Sequence, residues 1–504
     1  MMETITEAVT RHAVEQPDGT ALTDGVTSLS WFEVKSWMDD AAGWLVAIGL
    51  PRGATVLGWL PNCLELYLVR LACEQAGLFW VPVPASQGRH ELASILERTR
   101  PSVFVTKEHF RDHDYSAEAQ EVCLQAGIDP LHITVPDDEL LHLRGLSMKN
   151  PTALQLDEPA HSLPTSGSEG KPKLAVYTLF AACTRAHAQA ELLKLSSDDK
   201  VLVLSPGTGP ARVGWLAAPI AGSCVIVMPR FATENALALV QRTGATIVCG
   251  TPAQLAMLVT KLDVADTSSV RIWYAVGSVM PQTLAQDLEA KTSGIVISNY
   301  GGSDFGGWAA PDLQDPPAVR HSTVGRPQGG TVFRIVDDND CDVPLGQVGE
   351  LVGCGPCSVS GYLGEEGRQA WRDGWFHTGD LACSDDQGNL VIVGRLKEVI
   401  VRGGDKVSPV EIEALLRTHN AIAQVAVVGI PDLLLGERIC ACVVPMPGGR
   451  APDFEAVRDF LGRLGLAHYK VPERLIILDS LPIVGDKVDR RKLVQLALSA
   501  SQPQ

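Results

Sequence analysis

Short apolar runs alternate with segments of helical spacing through most of this 504-residue chain. Residues 56–60 form one such run, residues 63–76 have helical spacing and end at Gly77, and residues 78–83 form the next run. This alternation favours parallel strands joined by helices that cover the sheet. The same rhythm returns at residues 201–204, 224–228, 246–249, 272–276 and 295–298. The sequence therefore predicts a large α/β domain.

The pattern changes after residue 331, where short alternating strands and Gly-rich turns extend to about residue 393 and predict a β-rich subdomain. Beyond residue 394, Ser408 and Pro409 predict the capped start of a helix. A chain of this length exceeds what one hydrophobic core usually supports. We therefore predict a separate small α+β domain after residue 394, with further elements at residues 422–430, 439–444 and 454–464.

The charge balance argues against two classes of partner. The formal net charge is −17, whereas nucleic acids and anionic membranes bind basic surfaces. The acidic first seven residues lack the apolar core of a secretory signal, and no run of 18 apolar residues occurs. The twelve cysteines are scattered and often lie in apolar runs, as reduced core thiols do. We therefore expect a cytoplasmic protein without nucleic-acid or membrane partners.

One cysteine pair, Cys354 and Cys357, has the spacing of a thioredoxin-like redox motif. That motif should follow a strand and open a helix, but the residues after Cys357 have the pattern of a turn. We therefore expect a strand-to-turn connection without a redox role.

The segment from Thr165 to Lys173 concentrates residues that suit a polyphosphate. Its glycines let backbone N–H groups approach phosphate oxygens, its hydroxyls donate to the same oxygens, and its lysines supply positive charge. The spacing differs from the usual P-loop because Pro172 follows Lys171, where Ser or Thr would be needed. Taken alone, the segment is either a phosphate loop of another kind or a solvated turn.

A second polar segment, residues 298–304, follows the strand-like run 295–297. The carboxyl ends of parallel strands are where α/β sheets bind ligands. Tyr300 offers a flat face for a base, Ser303 offers a hydroxyl, and Asp304 offers a carboxylate for a magnesium ion beside phosphate oxygens. The alternative is a Gly-rich loop that only turns the chain.

These segments resemble, in order, the motifs of the ANL superfamily of adenylate-forming enzymes, which includes acyl-CoA synthetases, adenylation domains of nonribosomal peptide synthetases and firefly luciferase. Residues 165–173 resemble Thr-Ser-Gly-Thr-Thr-Gly-x-Pro-Lys-Gly, residues 300–304 resemble Tyr-Gly-x-Thr-Glu, and residues 378–380 are similar to Thr-Gly-Asp. Ser303 and Asp304 stand where the family has Thr and Glu, so both keep their chemical type. The resemblance covers nearly the whole chain.

The resemblance implies an ATP site with Mg²⁺ as the cofactor. In the family, the Tyr stacks on adenine, the Thr contacts phosphate, the Glu binds magnesium, and the Asp of Thr-Gly-Asp holds the ribose hydroxyls. Carried over, Ser303 and Asp304 are catalytic residues, and Asp304 is also the metal ligand. The implied ATP-binding residues are Thr165, Ser166, Gly167, Ser168, Gly170, Lys173, Ser278, Asn299, Tyr300, Gly301, Asp380 and Arg395.

The last segments resemble the hinge and the catalytic lysine of the family. Arg395 takes the place of the nucleotide-contacting Arg, and Lys397 takes the place of the pivot. Lys487 takes the place of the catalytic lysine, although Asp486 stands where Gly is usual and the preceding Thr of the motif is missing. The implied domains are an adenylate-forming N-terminal domain over residues 1–394, a hinge over 395–397, and a mobile C-terminal lid domain over 398–504.

The implied acid pocket is atypical. The Phe-His-x-x-Gly segment of the family should fall near residues 206–212, where this chain has neither His nor an aromatic residue. Arg212 either pairs with a second carboxylate or a carbonyl of the substrate or lies on the surface, and we favour the surface. Glycines leave room for a small aryl or cyclic acid. The candidate pocket residues are Arg212, Trp215, Ala275, Gly277, Gly302, Phe305 and Gly306.

The resemblance implies an ATP-dependent carboxylic acid ligase that forms an acyl-adenylate and pyrophosphate and then transfers the acyl group to an acceptor. We expect the acceptor to be CoA, since no carrier or condensation domain is appended. The alternatives are an amide-forming ligase that uses an amino acid, an enzyme that loads a separate carrier protein, and a non-catalytic adenylate binder. We expect a monomer or a homodimer.

Overall fold

The computed structural model describes residues 2–111, 113–143, 151–165, 172–205, 212–303, 305–364, 367–403, 405–484 and 487–500, without the side chains of Lys406, Val484 and Lys487. The chain forms two compact units. Unit 1 comprises residues 1–333 and 353–376, and unit 2 comprises residues 334–352 and 377–504. The chain therefore passes between the units within the predicted β-rich region, and the domain boundary near residue 394 stays a prediction.

The secondary structure of the described residues alternates as the sequence predicts. The helices are α1 (Ile5–Glu15), α2 (Trp31–Ala47), α3 (Leu64–Ala76), α4 (Arg89–Thr99), α5 (Tyr115–Ala126), α6 (Leu179–Leu192), α7 (Ala217–Ala221), α8 (Thr233–Thr243), α9 (Pro252–Val259), α10 (Gln282–Lys291), α11 (Pro317–Ser322), α12 (Pro409–Leu416), α13 (Phe454–Arg463) and α14 (Arg490–Ser499). Single 3₁₀ turns occur at Leu262–Val264, Arg368–Ala370, Leu396–Glu398 and His468–Lys470. None of these helices is long and apolar enough to cross a membrane.

The strands, in chain order, are β1 (Thr20–Thr23), β2 (Ser28–Ser30), β3 (Thr55–Leu60), β4 (Phe79–Pro84), β5 (Val103–Lys107), β6 (His109–Phe110), β7 (His113–Asp114), β8 (Leu131–Val135), β9 (Pro159–Thr165), β10 (Lys173–Thr178), β11 (Lys200–Val203), β12 (Cys224–Val227), β13 (Ile247–Gly250), β14 (Ile272–Val276), β15 (Ile295–Gly301), β16 (Trp308–Ala310), β17 (Arg326–Gln328), β18 (Val332–Val336), β19 (Gly349–Cys354), β20 (Gly361–Tyr362), β21 (Trp371–Arg372), β22 (Trp375–Ser384), β23 (Leu390–Arg395), β24 (Ile400–Arg402), β25 (Asp405–Val407), β26 (Ile422–Asp432), β27 (Gly436–Pro445), β28 (Arg474–Ile477), β29 (Ile483–Val484) and β30 (Lys487–Val488).

Unit 1 contains a nine-stranded sheet in the order β17-β16-β15-β14-β13-β11-β12-β1-β2. Strands β11 to β15 run parallel to one another in this sheet. Every residue of β14 is buried, and Trp273 in its middle is fully enclosed. Continuous apolar runs of this kind form strands that are covered on both faces. The predicted parallel α/β architecture is confirmed.

A seven-stranded sheet in the order β20-β10-β9-β4-β3-β5-β8 completes the core of unit 1. Strands β3, β4, β5 and β8 are parallel, and α3 connects β3 to β4. Helix α3 ends at Gly77, which adopts the left-handed conformation at φ +70°. Glycine enters this conformation without the steric cost of a Cβ atom, which explains why the helix stops where the sequence predicts.

Unit 2 carries a sheet in the order β25-β24-β27-β26, with β28 beside β27. The predicted strands at residues 422–430 and 439–444 are confirmed as the hairpin β26–β27. Pro409 begins α12 as predicted, but the capping role predicted for Ser408 is wrong. Its hydroxyl donates instead to the carbonyl oxygen of Val393. The hydroxyl therefore ties the start of the helix to β23.

Candidate active site

The carboxyl ends of β11, β13, β14 and β15 lie along one edge of the nine-stranded sheet, because these strands are parallel. Ala275 of β14 lies level with Ser298 of β15, and the next residue along β14 lies level with Asn299. This is the edge at which α/β sheets bind ligands. The loops beyond these strand ends carry the candidate residues Arg212, Gly277, Ser278, Gly302, Ser303, Phe305 and Gly306.

The loop after β15 is held by two buried side chains that the sequence reasoning missed. The hydroxyl of Tyr177 donates to the carbonyl oxygen of Ser303 at 2.6 Å. Nη1 of Arg185 donates to the carbonyl oxygen of Gly306 at 3.1 Å. The N–H of Gly306 also donates to the carbonyl oxygen of Gly302 at 2.9 Å. These bonds fix the backbone on both sides of Asp304, which itself lies outside the described residues.

Gly306 occupies a position that no other residue fits without strain. Its φ is +90°, and a Cβ atom there would lie 2.1 Å from the carbonyl oxygen of Cys357 and 2.9 Å from Cε1 of Tyr177. Backbone cannot move aside as a flexible side chain can. This close approach explains why position 306 is a glycine, and it fixes the distance between this loop and the turn that contains Cys357.

Phe305 lies inside a cluster of aromatic rings. Its ring stacks on Phe376 with centroids 5.1 Å apart, and the centroids of Phe333 and Trp371 lie 5.9 and 6.0 Å away. Only 1% of Phe305 is exposed. The cluster anchors the loop through the Phe305 side chain, and the role of Phe305 in an acid pocket stays a prediction.

The residues predicted to hold adenine lie where β14 and β15 end. Tyr300 is half-buried, and its ring centroid lies 6.1 Å from that of Phe333. Asn299 is buried, and its Oδ1 has no hydrogen-bond partner among the described residues. Buried amide oxygens are normally paired, so this atom suits a donor from a ligand. Gly277 and Ser278 are exposed in the neighbouring loop.

The predicted phosphate segment connects two paired strands. Thr165 ends β9 and lies opposite Lys173, which begins β10. The hydroxyl of Thr165 is buried without a partner in the described part of the chain. The candidate residues between the two strands, Ser166, Gly167, Ser168 and Gly170, lie outside the described residues.

In unit 2, two of the predicted nucleotide contacts lie side by side. Asp380 of β22 lies opposite Arg395 of β23, and Nε of Arg395 lies 2.8 Å from Oδ1 of Asp380. Asp380 is buried, whereas Arg395 is about half exposed. Glu350 supports the turn before Asp380 by accepting from Nδ1 of His377 at 2.8 Å and from the N–H of Gly379 at 3.1 Å. The carboxylate is thus held by its surroundings and can accept from a ribose diol.

The two predicted lysines of unit 2 lie on short elements. Lys397 is exposed in the 3₁₀ turn Leu396–Glu398, which follows β23 directly. Lys487 begins β30, and its backbone pairs with Val484 of β29. Its side chain and residues 485–486, which include Asp486, lie outside the described residues. The predicted catalytic lysine therefore begins the second strand of a two-stranded antiparallel pair.

Beside the loop after β15, unit 1 contains a group of buried basic side chains, here called the arginine cluster: Arg70, Arg185, Arg212 and His161. Each arginine is 3% exposed and His161 is 1% exposed. The predicted surface position of Arg212 is therefore wrong. Long charged side chains are rarely buried unless they are paired, so the cluster demands an explanation.

Aromatic rings connect the members of the arginine cluster. The guanidinium of Arg70 lies 5.0 Å from the ring centroid of Trp215, and that of Arg212 lies 5.1 Å from the ring centroid of Tyr177. His161 stacks on Tyr177 at 5.0 Å and meets Trp215 edge-on at 5.1 Å. The candidate pocket residue Trp215 is thus enclosed by the cluster. Ring faces stabilise cations, but by less than a carboxylate would.

Burial and like charge act together in the arginine cluster. Burial, with the charges of Arg70 and Arg212, holds the pKa of His161 well below its ordinary value, so the imidazole is neutral. Burial, with the charge of Arg212, lowers the pKa of Arg185 to about 10. The sequence signal for this cluster was a charged residue within an apolar helix, as at Arg70 in α3 and Arg185 in α6.

The Cys354–Cys357 pair does not have the surroundings of a redox motif. Cys354 ends β19, and a turn that contains Cys357 follows where a redox motif would open a helix. Both thiols are free, and burial raises the pKa of Cys357. A raised pKa disfavours the reactive thiolate. The Sγ of Cys357 instead donates to the carbonyl oxygen of Gly329 at 3.3 Å.

Comparison with protein families matches residues 9–363 to the AMP-binding enzyme family and residues 411–485 to the AMP-binding enzyme C-terminal domain. The first match alone spans more than half of the chain. The chain therefore belongs to the AMP-binding enzyme family, and the resemblance to adenylate-forming enzymes is confirmed. It is an acid-activating, AMP-forming ligase that uses ATP.

Relatives and solved structures match along nearly the full length. The chain is 31% identical to the 2-hydroxy-7-methoxy-5-methyl-1-naphthoate–CoA ligase of Streptomyces carzinostaticus, over 95% of this chain and 90% of that protein. It is 31% identical to the salicyl-AMP ligase / salicyl-S-ArCP synthetase of Mycobacterium tuberculosis, over 97% of this chain and 89% of that protein. The fold is similar to that of ATP-bound MatB from Rhodopseudomonas palustris, with a TM-score of 0.89, 23% identity and complete coverage of both chains.

Proposed function

We propose that the protein is an acid–CoA ligase that activates a small aryl or cyclic carboxylic acid. The observation that carries this proposal is the similarity to an aryl acid–CoA ligase along 95% of the chain. The geometry of unit 1 supports it, because the carboxyl edge of the nine-stranded sheet presents a firmly held loop after β15.

In the first half-reaction, a carboxylate oxygen of the acid attacks the α-phosphorus of ATP. The bond from that phosphorus to the bridging oxygen of pyrophosphate breaks, and an acyl-adenylate forms. The reaction needs positioning and charge neutralisation and no covalent bond to the protein. We assign adenine to Tyr300, the ribose hydroxyls to Asp380 and Arg395, and the phosphates to residues 165–173.

Two further roles complete the first half-reaction. Lys487 contacts both the carboxylate of the acid and the α-phosphate, and so neutralises charge that develops between them. Asp304 is the residue that would hold Mg²⁺, which would neutralise phosphate oxygens. A carboxylate one methylene shorter than Glu reaches less far, so a water molecule between Asp304 and the metal is compatible with this role.

In the second half-reaction, the thiol of CoA loses its proton and attacks the carbonyl carbon of the adenylate, and AMP leaves. The proposed turn of the C-terminal domain about Lys397 withdraws Lys487 before the thiol arrives. A second candidate acceptor is a separate carrier protein, which the relative named as a salicyl-AMP ligase / salicyl-S-ArCP synthetase favours.

The acceptor is tested by mass spectrometry of one pooled reaction. The reaction contains the purified protein, Mg-ATP, assorted aryl, cyclic and fatty acids, CoA and mixed amino acids. An acyl-CoA product supports the proposal and names the acid. An N-acyl amino acid without any thioester would show that the acceptor is an amine and not CoA. An acyl-adenylate that neither acceptor consumes would favour the carrier protein.

The hinge proposal predicts separate effects on the two half-reactions. Lys397→Pro is expected to retain acid-dependent pyrophosphate release and to lose acyl-CoA formation, because proline fixes φ and restricts the preceding residue. Lys397→Ala is the control, since it removes the same side chain and keeps the backbone free. Equal loss of both half-reactions in Lys397→Pro would contradict a hinge at this position.

The ribose assignment predicts a change in nucleotide discrimination. Asp380→Asn is expected to lower kcat/KM for ATP by about 10- to 10²-fold, because a hydrogen bond to a charged group is worth roughly 1.5–3 kcal/mol. Wild-type protein should prefer ATP over 2′-deoxy-ATP, and the variant should lose most of that preference. A variant that is slower but keeps the full preference would assign Asp380 a structural role through Arg395 instead.

A further inference from the structure

The arginine cluster of unit 1 carries more positive charge than its surroundings balance. Oε2 of Glu74 lies 2.9 Å from Nη2 of Arg70, and Glu74 is also buried. Among the described residues, no other carboxylate pairs with a member of the cluster. Glu74 is moreover shared, because its Oε1 accepts from the N–H of Thr6 at 3.0 Å. One carboxylate therefore serves three buried guanidinium groups.

Several polar atoms of the cluster have no partner in the described part of the chain. They are Nε and Nη1 of Arg70, both ring nitrogens of His161, Nε of Arg185 and Nε of Arg212. Buried polar atoms in native proteins are almost always hydrogen-bonded, and buried charges are paired. Arg185 has the carbonyl oxygen of Gly306, and Arg70 has Glu74. Arg212 forms no hydrogen bond or ion pair with any described residue, and its guanidinium lies over the Tyr177 ring.

Arg212 also lies next to the proposed reaction site. The Tyr177 ring that it covers donates its hydroxyl to the backbone of Ser303, in the loop after β15. Arg212 and the loop after β15 therefore contact the same tyrosine side chain. Arg212 follows the carboxyl end of β11, at the same edge of the sheet as the loop. A substrate group that Arg212 binds would therefore belong to a small molecule whose other end reaches the loop after β15.

We propose that Arg212 binds a second carboxylate on the acid substrate, so that the enzyme activates one carboxylate of a small dicarboxylic acid while Arg212 holds the other. This inference rests on the proposed acid activation and specifies its substrate class. The guanidinium offers a planar pair of donors that match a carboxylate. Neutral His161, packed against the same tyrosine ring, supplies one further N–H donor. Binding of the second carboxylate places a negative charge beside the buried guanidinium groups that lack a carboxylate partner among the described residues.

The skeleton of the proposed acid is short. Because Arg212 and the loop contact the same tyrosine side chain, the two carboxylates are joined by one aromatic or alicyclic ring, or by a few carbons. A fatty acid offers no group for Arg212 and would place a methyl end against a buried cation. Desolvating that cation without a partner is unfavourable.

The test compares acids that differ only in the second carboxylate: benzoate with phthalate, isophthalate and terephthalate, and butyrate with succinate and glutarate. Acid-dependent pyrophosphate release is measured for each acid with the full chain and Mg-ATP. In wild-type protein, a diacid is expected to exceed its matched monoacid by about 10- to 10²-fold in kcat/KM, as a charged hydrogen bond predicts. Equal values within every pair would overturn the inference.

Arg212→Met is the diagnostic variant, because Met keeps the length and apolar contact of the side chain and removes its charge. It should lower kcat/KM for the diacid by the same factor relative to the matched monoacid, so that the ratio approaches one. Arg212→Lys, which keeps the charge, should retain part of the preference. Equal loss for both acids in Arg212→Met would contradict the inference and would assign Arg212 to packing. If Arg212→Met fails to fold, the wild-type comparison of matched acids still tests the inference.

Two further outcomes distinguish a failure of this inference from a failure of the proposed function. If monoacids form adenylates as well as diacids do, the proposed acid activation holds and the dicarboxylate specificity fails. If no acid of any kind releases pyrophosphate, the proposed function fails, and the inference fails with it.

Discussion

Lys487→Ala is expected to lower acyl-adenylate formation by about 10²–10³-fold, since loss of one preorganised charge at a developing anion costs that much in other enzymes. The hairpin β29–β30 should remain, because its backbone pairing does not depend on this side chain. The measurement is acid-dependent pyrophosphate release, with thermal unfolding as the check on the fold.

Lys492→Ala is the matched control for this experiment. Lys492 lies in the first turn of α14, and its backbone N–H donates to the Asp489 carboxylate, whereas its exposed side chain forms no hydrogen bond or ion pair with a described residue. The control should keep full activity, and Lys487→Arg should recover part of it by restoring the charge. Unchanged adenylate formation in Lys487→Ala would remove this lysine from the reaction.

Gly306→Ala is expected to reduce acid activation by about 10²-fold, because small displacements of positioning groups have effects of this size. The added methyl would meet the carbonyl oxygen of Cys357 at 2.1 Å, so the loop after β15 must shift. A left-handed backbone at a non-glycine residue costs roughly 1–3 kcal/mol in addition. Steady-state kinetics and thermal unfolding measure the two effects separately.

Gly346→Ala separates the contact from the backbone strain. Gly346 has a similar φ of +79°, and a Cβ atom there would meet nothing within 4 Å. This control should lose some stability and keep its activity. Equal activity in Gly306→Ala and Gly346→Ala would show that the loop tolerates displacement, and so would contradict its positioning role.

Apolar patterning was enough to predict the elements that form the sheets. Strand β14 has the predicted bounds, and α3 ends at its predicted glycine, because both depend on local sequence. The division into two large sheets was not predicted. Strand β1 joins the nine-stranded sheet beside β12. Pairing between segments so far apart in the chain cannot be predicted from the sequence of either segment alone.

The candidate site was predicted in part. The family-like segments named Asn299, Tyr300, Asp380 and Arg395 in advance. Within unit 1, Asn299 and Tyr300 lie near the carboxyl end of β15, and within unit 2, Asp380 lies opposite Arg395. Their roles in nucleotide binding stay predictions. The side chains that hold the loop after β15, Tyr177 and Arg185, were not predicted. Tyr177 lies in an apolar run of β10, where nothing in the sequence shows that its hydroxyl reaches the backbone of Ser303.

Burial of the arginine cluster was also unpredictable from composition. Its members come from α3, β9, α6 and the segment after β11, and nothing in these separate segments shows that the four side chains meet. The surface position predicted for Arg212 was wrong because glycine-rich surroundings usually indicate a solvated loop. Only the fold shows that Tyr177 and His161 lie beside it.

The mechanism is tested by following oxygen from the acid into AMP. The acid is labelled with ¹⁸O in its carboxylate, and the products are analysed by mass spectrometry after complete turnover with Mg-ATP and acceptor. Attack of the carboxylate on the α-phosphorus predicts one ¹⁸O atom in the phosphate of AMP and none in pyrophosphate. Release of ADP, with ¹⁸O in inorganic phosphate, would contradict adenylation and require an acyl-phosphate intermediate.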